Sequence, residues 1–128
     1  MSEPSYPEDL RYHPEHDWAR IEGDEATLGI TWYAQDSLGE VVFYDGPAVG
    51  AEIKKDEPYA EVESVKAVSD VIAPVSGEVI AVNESLTDAP EAVNADPYVT
   101  GWLVKVRLSD PAEADQLMDS ATYSASLE

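Results

Sequence analysis

Cysteine is missing from all 128 residues, which excludes disulfides, thiolate metal sites and a cysteine nucleophile. Any redox chemistry must therefore come from a group that is attached or bound. Cations are scarce: seven Lys and Arg stand against twenty-seven Asp and Glu, for a formal charge of −20. Phosphate backbones and anionic headgroups would be repelled, which argues against nucleic acid and anionic membranes as partners. No apolar run approaches the ~20 residues that span a bilayer. The first ten residues have neither a cationic start nor an apolar stretch, so the expectation is a cytoplasmic protein with no secretory or transit leader. With two histidines, and a proline between them in His13-Pro14-Glu15-His16, a metal site is not expected.

Apolar residues make up 44% of the chain, too many for an acidic disordered polymer and enough for one buried core. Residues 1–10, with their prolines and acids, are expected to form a flexible arm, and residues 11–128 a single domain. The acid excess also suits a protein adapted to a salt-rich cytoplasm.

Short strands dominate the pattern. Trp18–Ile21 and Ala26–Ile30 flank the turn Glu22-Gly23-Asp24-Glu25, and Val41–Tyr44 follows a helix that Thr31 can start and Gly39 can stop. Tyr59–Ser64 alternates in polarity and Ala67–Ile72 roughly does, as strands with one wet face would. Glu78–Val82 and Gly101–Leu108 complete the set, with Trp102, Val104, Val106 and Leu108 expected inside and Leu103 outside. Asp88-Ala89-Pro90-Glu91 and Asp110-Pro111-Ala112-Glu113 have the logic of capping boxes opening short helices, and Ser120 that of a cap for a C-terminal helix.

Between Tyr59–Ser64 and Ala67–Ile72 there is no Gly, Pro or Asn to force a turn. Val65-Lys66 must occupy the turn itself, of type I, leaving Lys66 projecting into solvent. Surface ion pairs contribute only ~0–1 kcal/mol, so stability is a weak reason for a lone ammonium there. Covalent attachment is a better one, because a modifying enzyme needs an amine held proud of the surface between small or β-branched neighbours.

The run Glu63-Ser64-Val65-Lys66-Ala67-Val68-Ser69-Asp70, followed by Ala73-Pro74-Val75-Ser76-Gly77-Glu78-Val79 and Val82-Asn83-Glu84, resembles the lipoyl-carrier H protein of the glycine cleavage system. His16-Asp17-Trp18, Gly29-Ile30-Thr31, Tyr33-Ala34-Gln35, Leu38-Gly39-Glu40, Asp96-Pro97-Tyr98 and Gly101-Trp102-Leu103 fall in the same family order, so the resemblance covers roughly residues 11 to 127. It implies a mainly-β barrel-sandwich hybrid, lipoyl/biotinyl-carrier-like, with short flanking helices and a C-terminal helix. It implies lipoic acid in amide linkage to Lys66, and a non-catalytic carrier of the aminomethyl group. The implied partners are glycine decarboxylase (pyridoxal phosphate), aminomethyltransferase (tetrahydrofolate), dihydrolipoamide dehydrogenase (flavin) and a lipoylating enzyme. Glu63 matches a position implicated in recognition by the lipoylating enzyme. In the family, acidic groups of a surface cleft can pair with the loaded arm; Asp17, where the family often has the longer Glu, and Asp70, four residues past Lys66, are the candidates for that role, although both could equally be solvated acids.

Trp32 stands where the family has a polar residue, either enlarging an exposed apolar patch or forming a docking face. Asn83-Glu84-Ser85 matches a glycosylation sequon that carries no weight without a secretion signal. The nearest rival is the lipoyl domain of a 2-oxoacid dehydrogenase, which favours Asp-Lys-Ala at the tip; a biotinyl carrier would want flanking methionines. An autonomous enzyme lacks any evident triad or phosphate-binding loop. A plain interaction module, or a carrier repurposed to relay lipoyl groups, completes the alternatives.

Overall fold

The computed structural model describes residues 5–127. Nine strands run in chain order with four short α-helices: β1 (Arg11–His13), β2 (Asp17–Glu22), β3 (Glu25–Ile30), α1 (Trp32–Leu38), β4 (Val41–Asp45), β5 (Glu52–Ile53), β6 (Pro58–Ser64), β7 (Val68–Ile72), β8 (Gly77–Val82), α2 (Ser85–Asp88), α3 (Ala92–Ala95), β9 (Val104–Leu108) and α4 (Ser120–Ser126). They pair antiparallel into two sheets, a six-stranded one in the order β1-β2-β3-β9-β8-β5 and a three-stranded one in the order β4-β6-β7. The architecture is the mainly-β barrel-sandwich with short helices that the sequence implied. Among the described residues no helix is long and apolar enough to cross a membrane.

Alternation within the strands decides where the core lies. Leu28 in β3, Val79 in β8 and Val104 and Val106 in β9 are buried, and meet Val41, Val62 and Val71 from the smaller sheet. Each such side chain contributes about 1.5–3 kcal/mol when fully buried. A second cluster of Leu10, Tyr12, Trp18, Trp32, Tyr98 and Tyr123 covers the other side of the β1-β2-β3 edge. Tyr12 and Tyr123 stack there at 4.8 Å. Gly29 is required beneath Trp18, since a Cβ at position 29 would lie 2.6 Å from the indole. Ser5 to Leu10 run along this cluster: Tyr98 Oη donates to the Ser5 carbonyl at 2.5 Å and Tyr12 Oη to that of Pro7 at 2.6 Å.

Several local expectations are corrected. Asp88 ends α2 instead of capping the next helix, and Glu91, at the N-cap of α3, makes no side-chain cap bond. Asn83 provides the start signal instead, its Oδ1 accepting from Ser85 N and Oγ. Asp110 caps as expected, but the segment Pro111–Gln116 winds as a 3₁₀ helix. Glu113 there reaches across to accept from Ser76 N at 2.7 Å and Ser76 Oγ at 3.0 Å. The cap of α4 is Asp119, one residue before Ser120. Leu103 is buried and Trp102 half-buried, because β9 begins only at Val104 and the preceding pair follows a loop, not the strand's alternation. Trp32 is 9% exposed and packs into the aromatic cluster, so it makes no exposed patch.

Candidate functional site

The β6–β7 hairpin brings Lys66 to its tip. Glu63 pairs with Val68, and Ser64 N donates to the Ala67 carbonyl at 2.8 Å, leaving Val65 and Lys66 as the turn. What replaces the missing Gly or Asn is Ser64. Its buried Oγ accepts from Ala67 N at 3.1 Å and from Lys66 N at 3.3 Å, the serine-turn pattern that mimics a backbone turn. Val65 N reaches the Glu40 carbonyl at 3.2 Å, so the tip is also tied to the loop after α1. In that loop Gly39 adopts φ +83, and the Lys66 Cε stem would lie 3.5 Å from a Cβ there. The ammonium itself is exposed and has no carboxylate within salt-bridge distance among the described residues.

Beside the hairpin lies a cleft of about 330 Å³ between α1, the start of β2 and strand β7. Tyr33, Ala34 and Leu38 form one wall, Ala67 and Val68 the other, and Asp17 and Asp70 both line it. The two acids differ. Asp70 is exposed and sits directly across from Glu61. Asp17 is 1% exposed, and its Oδ2 has no hydrogen-bond partner. Burial, with the nearby Glu15 charge adding to it, pushes the Asp17 carboxyl well above the usual carboxylate range. Glu63 lies outside this cleft, exposed on the outer face of the small sheet between Phe43 and Val68.

The sequence reading missed Ser64 and Glu15. A serine opening a two-residue turn was a readable signal for the first. Nothing in the sequence pointed to Glu15, an exposed acid that lines the cleft mouth. Its backbone N donates to His13 Nδ1 at 3.0 Å, which makes that nitrogen the acceptor of a neutral ring. The proton therefore sits on Nε2, which donates to Asp56 Oδ1 at 2.6 Å. This bond, followed by that from Lys55, holds the Asp56 carboxyl below its ordinary range. His16 adopts φ +73, contacts Tyr123 Oη through Nδ1 at 2.8 Å and lies against Tyr33. Burial lowers its pKa, keeping it neutral. Both rings are thus engaged with protein, and among the described residues no group of three or more His, Asp or Glu is arranged to hold a metal ion.

A two-sheet β scaffold that presents one exposed, unpaired lysine on a pinned hairpin defines a carrier domain of the barrel-sandwich class. The family model for "Glycine cleavage H-protein" matches residues 10–128. The chain is 53% identical over 119 residues to a glycine cleavage system H protein of Symbiobacterium thermophilum, covering 93% of each chain. It is 53% identical over 120 residues to that of Brevibacillus brevis, covering 94% of this chain and 95% of the relative. Among solved structures, a glycine cleavage system H protein from Mycobacterium marinum superposes with a TM-score of 0.87 at 36% identity, over 94% of this chain and 98% of the other. The chain belongs to the glycine cleavage H-protein family.

Proposed function

We propose that the protein is the lipoyl-bearing shuttle of a glycine cleavage system, with Lys66 as the attachment point. The observation that carries this reading is the exposed, unpaired Lys66 amine on a turn fixed by Ser64 and the Glu40 carbonyl. Lipoate in amide linkage there supplies the dithiolane sulfurs that a cysteine-free chain lacks, for carrying an aminomethyl group from glycine decarboxylase to aminomethyltransferase and a dithiol to dihydrolipoamide dehydrogenase. Acylation replaces one of seven cations by an amide, taking the formal charge from −20 to −21. The residues present fit such an arm: an accessible amine, and next to it an apolar-walled cleft with two acids at hand.

The chain's own groups do three things in this reading. The hairpin presents the amine, with Glu63 on its outer face available to a lipoylating enzyme. Tyr33, Leu38 and Val68 shield the cleft from water. Burial biases Asp17 toward its protonated form while no cation is near, and a cationic group entering the cleft favours its ionised form; Asp70 offers a second carboxylate at the rim. Tethering then makes each delivery effectively intramolecular once the carrier docks.

Intact mass spectrometry of protein isolated from its host is the direct test. The expected result is a mass shifted by one lipoyl group, absent in Lys66→Arg. An unmodified mass, or a lipoyl mass that survives Lys66→Arg, refutes the assignment.

A further inference from the structure

Lys105 and Arg20 lie in one cross-strand row on the outer face of the large sheet. The register joins Arg20 in β2 to Thr27 in β3, Thr27 to Lys105 in β9, and Lys105 to Ala81 in β8. Neighbouring strands lie about 4.8 Å apart, which places the two cationic residues about 10 Å apart at their backbones with the Thr27 hydroxyl between them. The next row along the same strands is Glu22, Glu25, Arg107, Glu78 and Glu52, where Arg107 is met by Glu78 at 3.6 Å. In a chain with twenty-seven acids, the row of Arg20 and Lys105 contains none. Lys105 is half-buried, yet among the described residues no carboxylate stands within salt-bridge distance of it. An ammonium with no internal counter-charge is available to pair with an external anion.

The same residues line a concave site of about 380 Å³ together with Trp102, within the size range of small-molecule pockets. Trp102 supplies a flat apolar wall, and Ala81 leaves space in front of it. The site is rigid on both sides. The Trp102 carbonyl accepts from Asn83 Nδ2 at 2.7 Å, and that amide also holds the Thr100 carbonyl at 2.9 Å. Arg20 lies 5.2 Å above the Trp18 ring and donates to the Tyr98 carbonyl at 3.1 Å, leaving its other N–H groups free to point at an anion. None of these residues belongs to the cleft beside Lys66.

We propose that this pocket binds a small aromatic carboxylate, its carboxylate between Lys105 and Arg20 and its ring against Trp102. Two cations with a hydroxyl between them select the acid group. The indole selects a planar body over an aliphatic one by stacking against its face.

The test is a ¹H–¹⁵N titration of the whole protein with 4-aminobenzoyl-glutamate, with glutarate and inorganic phosphate as anions lacking a ring. The expected result is saturable shifts at the Thr27 and Lys105 amides and the Trp102 indole, with glutarate and phosphate about tenfold or more weaker. Lys105→Gln and Trp102→Leu are each expected to weaken binding about tenfold, with unchanged acylation at Lys66 in both and an unchanged thermal midpoint in Lys105→Gln. Failure to saturate, equal binding by glutarate, or wild-type binding in both variants overturns the proposal. So does capture of a glutamate-rich peptide in place of the aromatic acid, which would make the pocket a docking site for protein.

Discussion

Asp17 carries opposing demands on one side chain. A carboxyl with an unpartnered oxygen deep in the protein destabilises the fold, because ionising it there lacks both water and a donor. Its folded pKa is raised above the unfolded value near 3.8, so its contribution to stability is fully present below that pH and is lost as pH rises through the folded pKa. Asp17→Asn removes the titration. It is expected to raise unfolding stability by about 1–2 kcal/mol at neutral pH, with the gain vanishing toward pH 3.8 in urea melts taken across the range. A gain independent of pH would mean that packing, not charge, is responsible. The same substitution is expected to hasten loss of ammonia and formaldehyde from the aminomethyl-loaded carrier, since the cleft loses the carboxylate that pairs with a cation. Asp70→Asn tests the exposed rim acid in the same assay, and unchanged decay in both variants removes the pairing role. A more stable protein that holds its cargo less well is the signature expected of a strained functional residue.

At the level of elements, the β6–β7 hairpin owes its tip to Ser64 and to the Glu40 carbonyl from a different element. Ser64→Ala deletes the acceptor for both Lys66 N and Ala67 N and is expected to cost about 1 kcal/mol, with slower enzymatic lipoylation from a looser tip. Ser64→Thr keeps the hydroxyl and should restore the rate; equal rates in all three proteins would show that the turn needs no such brace. Gly39→Ala forces a Cβ into φ +83 at the end of α1, with an expected loss of about 1 kcal/mol or more in chemical unfolding. How far these elements could be read in sequence followed from the range of the forces that make them. The alternation of Tyr59–Ser64, the Thr31 and Gly39 signals around α1 and the position of Val65-Lys66 in the turn are local, and the sequence carried them. The Asp88 segment misled because its capping pattern competes with Asn83, whose short-range bonds start a helix one turn earlier. Leu103 and Trp102 exchanged places because a strand's alternation was extended two residues past its first paired position. The cleft that Asp17 lines is assembled with Tyr33, Leu38 and Val71 from distant segments, which no local pattern announces.

Across the whole molecule the charge imbalance is met by little internal pairing. Among the described residues three contacts reach salt-bridge distance, His13–Asp56, Lys55–Asp56 and Arg107–Glu78, and two of them share one carboxylate. The sheet surface even aligns like charges: Asp45, Glu61 and Asp70 stand in register across the three strands of the smaller sheet. Opposed like charges of this kind destabilise a pair by a few tenths of a kcal/mol each, and a net charge of −20 adds repulsion that falls off over roughly 10 Å at 0.1 M salt. Added salt screens this repulsion while weakening only two ion pairs, Lys55–Asp56 and Arg107–Glu78, since His13 is neutral, so the balance favours the folded state. The unfolding midpoint is therefore expected to climb as KCl is raised from low to molar concentration. Most of the screening rise should fall below about 1 M, where the Debye length has shrunk to ~3 Å. A continued rise beyond that would point to stronger effective burial of apolar groups in concentrated salt. A midpoint indifferent to KCl would exclude both self-repulsion as a significant cost and adaptation to a salt-rich cytoplasm as the reason for the acids.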